Sequence, residues 1–230
     1  MAVAVAVAVV AVAPAAGRVA LVAGATGLVG REVLAALLTD KRYAAVLAIG
    51  RRQLVEQHPK LVSIKADFAQ LPALPPVDDV YIALGTTIKV AGSRLAFRAV
   101  DFEAVLAVAK AARKAGATRL GVVSAMGADA RSSIFYNRVK GEMEQALAGE
   151  GFQSLVITRP SMLDGNRAAL AQPTRLGERV GIALMSVLKP VIPVNYRAIK
   201  AADVARVLVT AVLGGRPGQR VLLSGEMQPV

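Results

Sequence analysis

Tyr136 and Lys140 stand four positions apart in the stretch FYNRVKGE (135–142), and Ser124 precedes the tyrosine by twelve residues. On a helix, residues i and i+4 lie one above the other on the same side, so the phenol and the ammonium would share one space. Such a group of side chains is suited to proton transfer at an oxygen. Reducing a carbonyl requires a proton at the oxygen as hydride reaches the carbon. A free tyrosine, with a pKa of about 10, needs a neighbouring cation to stabilise its phenolate and make that transfer easy near neutral pH. Lys140 would supply the charge, and Ser124 would hold and polarise the substrate oxygen. A tyrosine four residues before a lysine is a weak pattern in isolation, because a solvated helix face gives the same spacing. Its weight comes from the elements that position it.

From residue 18 onward, short apolar runs alternate with longer stretches of helical periodicity. RVALVAG (18–24), AAVLAIG (44–50), LVSIKA (61–66), DDVYIALG (78–85), RLGVVSA (119–125), SLVITRP (154–160) and RVLLSG (220–225) read as strands. Helices are expected over 27–40, about 93–116 and about 133–149. Continuous apolar strands separated by helices indicate an α/β fold with a doubly wound parallel sheet covered on both faces. Ligands of such sheets sit outside the carboxyl ends of the strands, where Ser124 ends strand five. Beyond Pro160, helix alternates with proline-bounded loop. Residues 1–17 read as a low-complexity tail and 18–230 as one domain, with 161–200 forming a small C-terminal substrate cap. Asn166, Arg167, Arg175, Asn195, Tyr196 and Arg197 are the polar cap residues available for contacts.

The first strand runs directly into GATGLVG, with glycines at 24, 27 and 30, and then into a helix. Glycines permit a tight turn and close backbone approach, while a helix N-terminus offers free N–H groups and partial positive charge to a pyrophosphate. This context turns a common pattern into a dinucleotide site. Where an NAD site usually places an acidic residue for the ribose hydroxyls, strand two ends in IGRRQ, with Arg51 and Arg52. Two guanidiniums match a 2′-phosphate, so NADP(H) is preferred over NAD(H). Asp67 after strand three can accept from the adenine amino group, and Gly85 with Thr86 after strand four would line the ribose side. Lys140 can also hydrogen-bond the nicotinamide ribose.

With these residues in order, the chain resembles the short-chain dehydrogenase/reductase family. GATGLVG is closer to its atypical and extended branches. LGTT (84–87), VVSAMGAD (122–129), YNRVKGEME (136–144) and ITRPSML (157–163) fall in the order of the atypical Tat-interacting-protein (CC3-like) subgroup. The resemblance spans about residues 18 to 225 and implies an NAD(P)-binding Rossmann fold. It implies Ser124, Tyr136 and Lys140 as catalytic residues, and Arg159-Pro160 at the turn toward the cap. The expected cofactor contacts are Gly24, Thr26, Gly27, Leu28, Val29 and Gly30, the Arg51/Arg52 pair, Asp67 with Phe68, Leu84, Gly85 and Thr86, then Lys140, Arg159 and Pro160. The sequence departs from the family at one point. The asparagine that many members carry on the preceding helix, where it orders a proton-relay water, has no counterpart between Arg94 and Gly116.

Composition narrows the function classes. Cysteine is absent and His58 stands alone, which excludes disulfides and thiolate sites and leaves no imidazole cluster for a metal. The net charge of +12 is spread as RR, KR, RK and single positions, and only 4% of residues are aromatic, so nucleic acid is not an expected partner. The uncharged start MAVAVAVAVVAVAPAA contains Pro14, is shorter than the roughly 20 apolar residues of a span, and has no basic segment of an export signal. Location is therefore expected to be cytoplasmic, with no membrane span. The leading expectation is an NADP(H)-dependent oxidoreductase acting on a small carbonyl or alcohol, with helices free to pair as a homodimer. Sugar-nucleotide epimerisation and a cofactor-sensing regulator with little turnover are the alternatives.

Overall fold

The computed structural model describes residues 17–164 and 193–229. Seven strands form one parallel sheet: β1 (Arg18–Ala23), β2 (Tyr43–Gly50), β3 (Leu61–Lys65), β4 (Asp79–Ile82), β5 (Arg119–Val123), β6 (Ser154–Arg159) and β9 (Gly218–Leu223). Their order across the sheet is β3-β2-β1-β4-β5-β6-β9, so the chain reverses direction of travel between β1 and β4. That reversal opens a crevice at the carboxyl ends of β1 and β4. Two short strands, β7 (Leu163–Asp164) and β8 (Ile199–Lys200), pair in parallel and join the two ends of the expected cap. The sequence pattern misses them because two residues carry no periodicity.

Side-chain alternation explains why the strands read as unbroken apolar runs. Along β1, Ala20 and Val22 face α1 (Leu28–Thr39) and α6 (Ala201–Leu213), packing with Val33, Leu37, Val204 and Leu208. Leu21 and Ala23 face the opposite layer, formed by α4 (Val105–Lys114) and α5 (Phe135–Ala148), with Val108, Ala112, Met143 and Leu147. Both faces are dry, so neither position can be polar. Gly121 in β5 lets α6 approach closely, since a Cβ there would lie 2.6 Å from Val212 Cγ2.

One expected helix differs in form. The stretch read as continuous over 93–116 is α3 (Arg94–Arg98), a π-helical segment (Ala99–Ala104) and α4, preceded by the single-turn α2 (Ile88–Ala91). Ser93 caps α3 by accepting from the Ala96 N–H. The widened turn keeps Asp101 within a buried stripe that includes Phe97, Val105 and Ala109.

At the amino edge of the sheet, register places Ala20, Asp79 and Arg119 side by side on β1, β4 and β5. Asp79 is fully buried and accepts from Arg18 Nε at 2.6 Å, Arg18 Nη2 at 2.7 Å and the Tyr43 hydroxyl at 2.7 Å. The Tyr43 and Tyr81 hydroxyls lie 2.7 Å apart. Burial, helped by Tyr81 and Asp79, pushes the Tyr43 phenol far above the ordinary tyrosine range, so it stays a donor at any working pH. This cluster ties three strands together, and removing its carboxylate strands the half-buried Arg18 guanidinium and takes one acceptor from the buried Tyr43 hydroxyl. Asp79→Ala is expected to lower unfolding free energy by about 3 kcal/mol, read from the denaturation midpoint in urea.

Candidate functional site

The glycine turn follows β1 and is built by steric necessity. Gly24 has φ of +91°, and a Cβ on it would sit 2.5 Å from the Ala83 carbonyl oxygen. A Cβ on Gly30 would sit 2.0 Å from the Gly24 carbonyl oxygen, so only glycine lets α1 start this close to the turn. The Gly27 N–H donates to the Gly24 carbonyl at 2.9 Å, closing the turn, and Gly27 occupies the position just before the first residue of α1. The first turn of α1 has no side-chain cap and no acidic residue, so its N–H groups stay available to an anion. Thr26 is exposed at the tip, Leu28 is half-buried and Val29 is buried against the core.

Arg51 and Arg52 are exposed just past β2, beside β1, and neither has a hydrogen bond or ion pair among the described residues. Asp67 is exposed and its carboxylate accepts from the Ala69 N–H at 3.0 Å, a local turn contact. Phe68 and Leu84 pack on the sheet face shared with α4 and α5.

Lys140 is 3% exposed, and its Nζ lies 2.7 Å from Asp101 Oδ1 across the gap between α5 and the π-helical turn. The other Asp101 oxygen accepts from the Thr86 N–H at 2.9 Å. Gly85 faces the pair: a Cβ there would lie 3.5 Å from Asp101 Oδ1 and 3.9 Å from Lys140 Nζ. The loop after β4 thus runs from the Gly24 contact at Ala83 to the Lys140–Asp101 pair within three residues. Tyr136 is half-buried one turn before Lys140, its ring 5.4 Å from that of the fully buried Phe97. No hydrogen bond engages its hydroxyl among the described residues. Burial raises the Tyr136 pKa above its ordinary value, with Lys140 pulling it down and Asp101 pushing it up.

Ser124 meets a geometry different from the expected one. It is buried, and its hydroxyl donates to Glu144 Oε1 on α5. Glu144 in turn receives Arg159 in a two-pronged contact, Nε to Oε1 at 3.1 Å and Nη2 to Oε2 at 2.5 Å. Ser124 and Arg159 therefore clamp α5 onto β5 and β6, which orients the helix carrying Tyr136 and Lys140. Pro160 is buried, and its carbonyl accepts from the Met126 N–H at 3.1 Å.

Asp101 and Glu144 are the polar residues that the sequence reading missed. The available signal was an acidic residue inside an otherwise apolar stripe, which requires a buried partner. Of the expected cap contacts, Asn166, Arg167 and Arg175 lie outside the described residues, as does the tail over 1–16. Asn195 Oδ1 accepts from the Gly225 N–H at 2.8 Å, the Arg197 carbonyl accepts from the Ser161 hydroxyl, and Tyr196 is exposed.

A family model described as NAD(P)H-binding matches residues 24–213, from the glycine turn through α6. The chain belongs to the NAD(P)H-binding family. The residues present fit the dinucleotide that this family binds, because Gly24 and Gly30 let β1, the turn and α1 pack with no side chain between them, and the first turn of α1 carries neither an acidic residue nor a side-chain cap. Among relatives, "Protein fmp52, mitochondrial" of Emericella nidulans is 36% identical over 160 residues, covering 65% of this chain and 68% of its own. "Protein FMP52, mitochondrial" of Coccidioides immitis is 30% identical over 213 residues, covering 86% of each. Both relatives are named mitochondrial, which contradicts the expected cytoplasmic location.

Solved structures share the fold of this NAD(P)H-binding chain. MoeE5 in complex with UDP-glucose and NAD superposes with a TM-score of 0.67 at 18% identity, over 90% of this chain and 75% of that one. A short chain dehydrogenase family protein from Francisella tularensis gives 0.66 at 16% identity, over 92% and 99%. The fold is thus that of NAD-binding dehydrogenases and epimerases.

Gly30→Ala tests the cradle. The added methyl must push α1 from the turn, so the variant is expected to lose about 1–3 kcal/mol of stability and to bind NADPH measurably more weakly by fluorescence titration.

Proposed function

We infer that the chain is an NADP(H)-dependent oxidoreductase acting on a small carbonyl or alcohol, with Tyr136 as the acid/base. The observation that carries this reading is the half-buried Tyr136, its hydroxyl unengaged among the described residues, one helical turn before the buried Lys140, whose ammonium in turn lies beside the loop that meets the glycine turn. When bound, the dinucleotide supplies or accepts the hydride. Gly24, Gly27 and Gly30 with the N-terminus of α1 would hold its pyrophosphate, and Lys140 its nicotinamide ribose. Arg51 and Arg52 would take a 2′-phosphate, because both are exposed at the carboxyl end of the strand next to β1.

Tyr136 passes its phenolic proton to the substrate oxygen as the carbonyl carbon is reduced. The resulting phenolate is stabilised by Lys140 and is reprotonated from solvent. The reverse direction needs the phenolate at the outset, which the raised Tyr136 pKa disfavours near neutral pH. The motifs LGTT, VVSAMGAD and YNRVKGEME favour the atypical branch of the short-chain dehydrogenase/reductases and its Tat-interacting-protein subgroup.

A second reading is favoured by Ser124. With its hydroxyl given to Glu144, the substrate oxygen loses its expected second donor, which suits a cofactor-sensing protein with little turnover. The two readings separate in one assay. Across aldehydes, ketones and quinones with NADPH, Tyr136→Phe is expected to reduce turnover by about 10²–10⁴-fold while leaving NADPH affinity intact. Equal rates in both chains would remove Tyr136 as the acid, and no turnover in either would favour the sensor.

Cofactor choice has its own test by calorimetry. Replacing Arg51 and Arg52 together with alanine should weaken NADPH by roughly tenfold or more and leave NADH nearly unchanged, since charge-assisted bonds to phosphate contribute about 1.5–3 kcal/mol.

A further inference from the structure

We propose that Asp101 is a positioning residue that sets the direction of proton transfer: held against Lys140, its carboxylate offsets the ammonium and keeps Tyr136 a proton donor, biasing the site toward carbonyl reduction. Three observations place it there. Asp101 is fully buried on the π-helical turn, where an unpaired carboxylate would be costly, so its position is dictated by its partners. Its Oδ1 lies 2.7 Å from Lys140 Nζ, and both side chains are almost fully buried. Its Oδ2 accepts from the Thr86 N–H, which ties the same carboxylate to the loop that packs on the glycine turn.

The consequence follows from charge. A lone ammonium beside a phenol favours phenolate, which suits proton abstraction and alcohol oxidation. An ammonium already matched by a buried carboxylate exerts less net pull, and the desolvated phenol keeps its proton. The charged groups around Tyr136 can be named from each packed element. Lys140 comes from its own helix and Asp101 from the π-helical turn, and both act on it, in opposite senses. Arg98 is engaged by Glu142, and Arg94 lies over the Phe135 ring at 5.3 Å. The loop after β4 contributes Thr86, which is uncharged. Asp101 lies on the same stretch, between Arg94 and Gly116, in which the expected asparagine has no counterpart. It also meets Lys140 directly.

The catalytic consequence rests on the proton-transfer role inferred for Tyr136; the charge coupling itself does not. The test accordingly needs no substrate. Tyrosine labelled with ¹³C at Cζ is titrated by NMR in the full chain, with Tyr136 identified by the signal missing from Tyr136→Phe. Asp101→Asn keeps an acceptor for the Thr86 N–H and removes the charge. The Tyr136 midpoint is expected to move to lower pH in this variant. A midpoint unchanged, or moved higher, in a variant that still binds NADPH overturns the proposal.

Should Asp101→Asn fail to fold, the unaltered chain decides. A buried, ion-paired Lys140 ammonium exchanges its protons slowly and gives an observable ¹⁵Nζ resonance, assigned through Lys140→Arg. A Lys140 ammonium exchanging as fast as solvent-exposed lysines overturns the pairing. If the midpoint shifts as expected while no carbonyl is reduced, the coupling stands and the oxidoreductase reading fails. If Tyr136→Phe abolishes reduction while the midpoint ignores Asp101, the reverse holds.

Discussion

The close approach of Gly24 to the Ala83 carbonyl is the constraint from which the site follows. Two parallel strands that exit the sheet in opposite directions of travel must still lie in contact at their carboxyl ends, and any side chain at Gly24 would wedge them apart. With that contact made, α1 can start against the Gly24 carbonyl, and the chain after β4 is led past Gly85 to Asp101 and Lys140. The glycine turn and the Lys140–Asp101 pair are therefore two ends of one packed backbone path.

Buried charge is used at both edges of the sheet, for different ends. At the amino edge, Asp79 gathers Arg18, Tyr43 and, at 3.9 Å, Arg119, and its four donors or cations leave little unsatisfied. At the carboxyl edge, Glu144 is matched by Ser124 and Arg159, and Asp101 by Lys140 and a backbone N–H. The carboxyl-edge groups all meet α5, so the helix that carries Tyr136 is fixed by a clamp on one face and an ion pair on another. Such fixing is what the proton transfer proposed for Tyr136 would need, since a donor must be held at a defined place relative to the reacting carbon.

The π-helical turn is where local preference and tertiary demand disagree. Ala, Val and Glu around Asp101 would continue an ordinary α-helix. An acidic side chain in the buried stripe must nonetheless reach both Lys140 and Thr86, and one wider turn lets it do so while Phe97, Val105 and Ala109 stay in the core.

How much was legible in the sequence follows the range of the forces involved. The strand–helix alternation, the glycine turn and the Tyr136–Lys140 spacing are local patterns. The paired apolar faces, the steric freedom of Gly24 and Gly30 and the one-turn offset on α5 all carry over into three dimensions without knowing the neighbours. Cellular location did not follow from composition, and the cytoplasmic expectation is contradicted by relatives that are named mitochondrial. What only the tertiary structure decided were the partners of groups distant in the chain. Ser124 goes to Glu144 twenty residues on, and Lys140 to an aspartate 39 residues before it. Periodicity says which side of a helix a charge occupies; which opposite charge waits across the gap depends on packing between layers, and no local pattern encodes it.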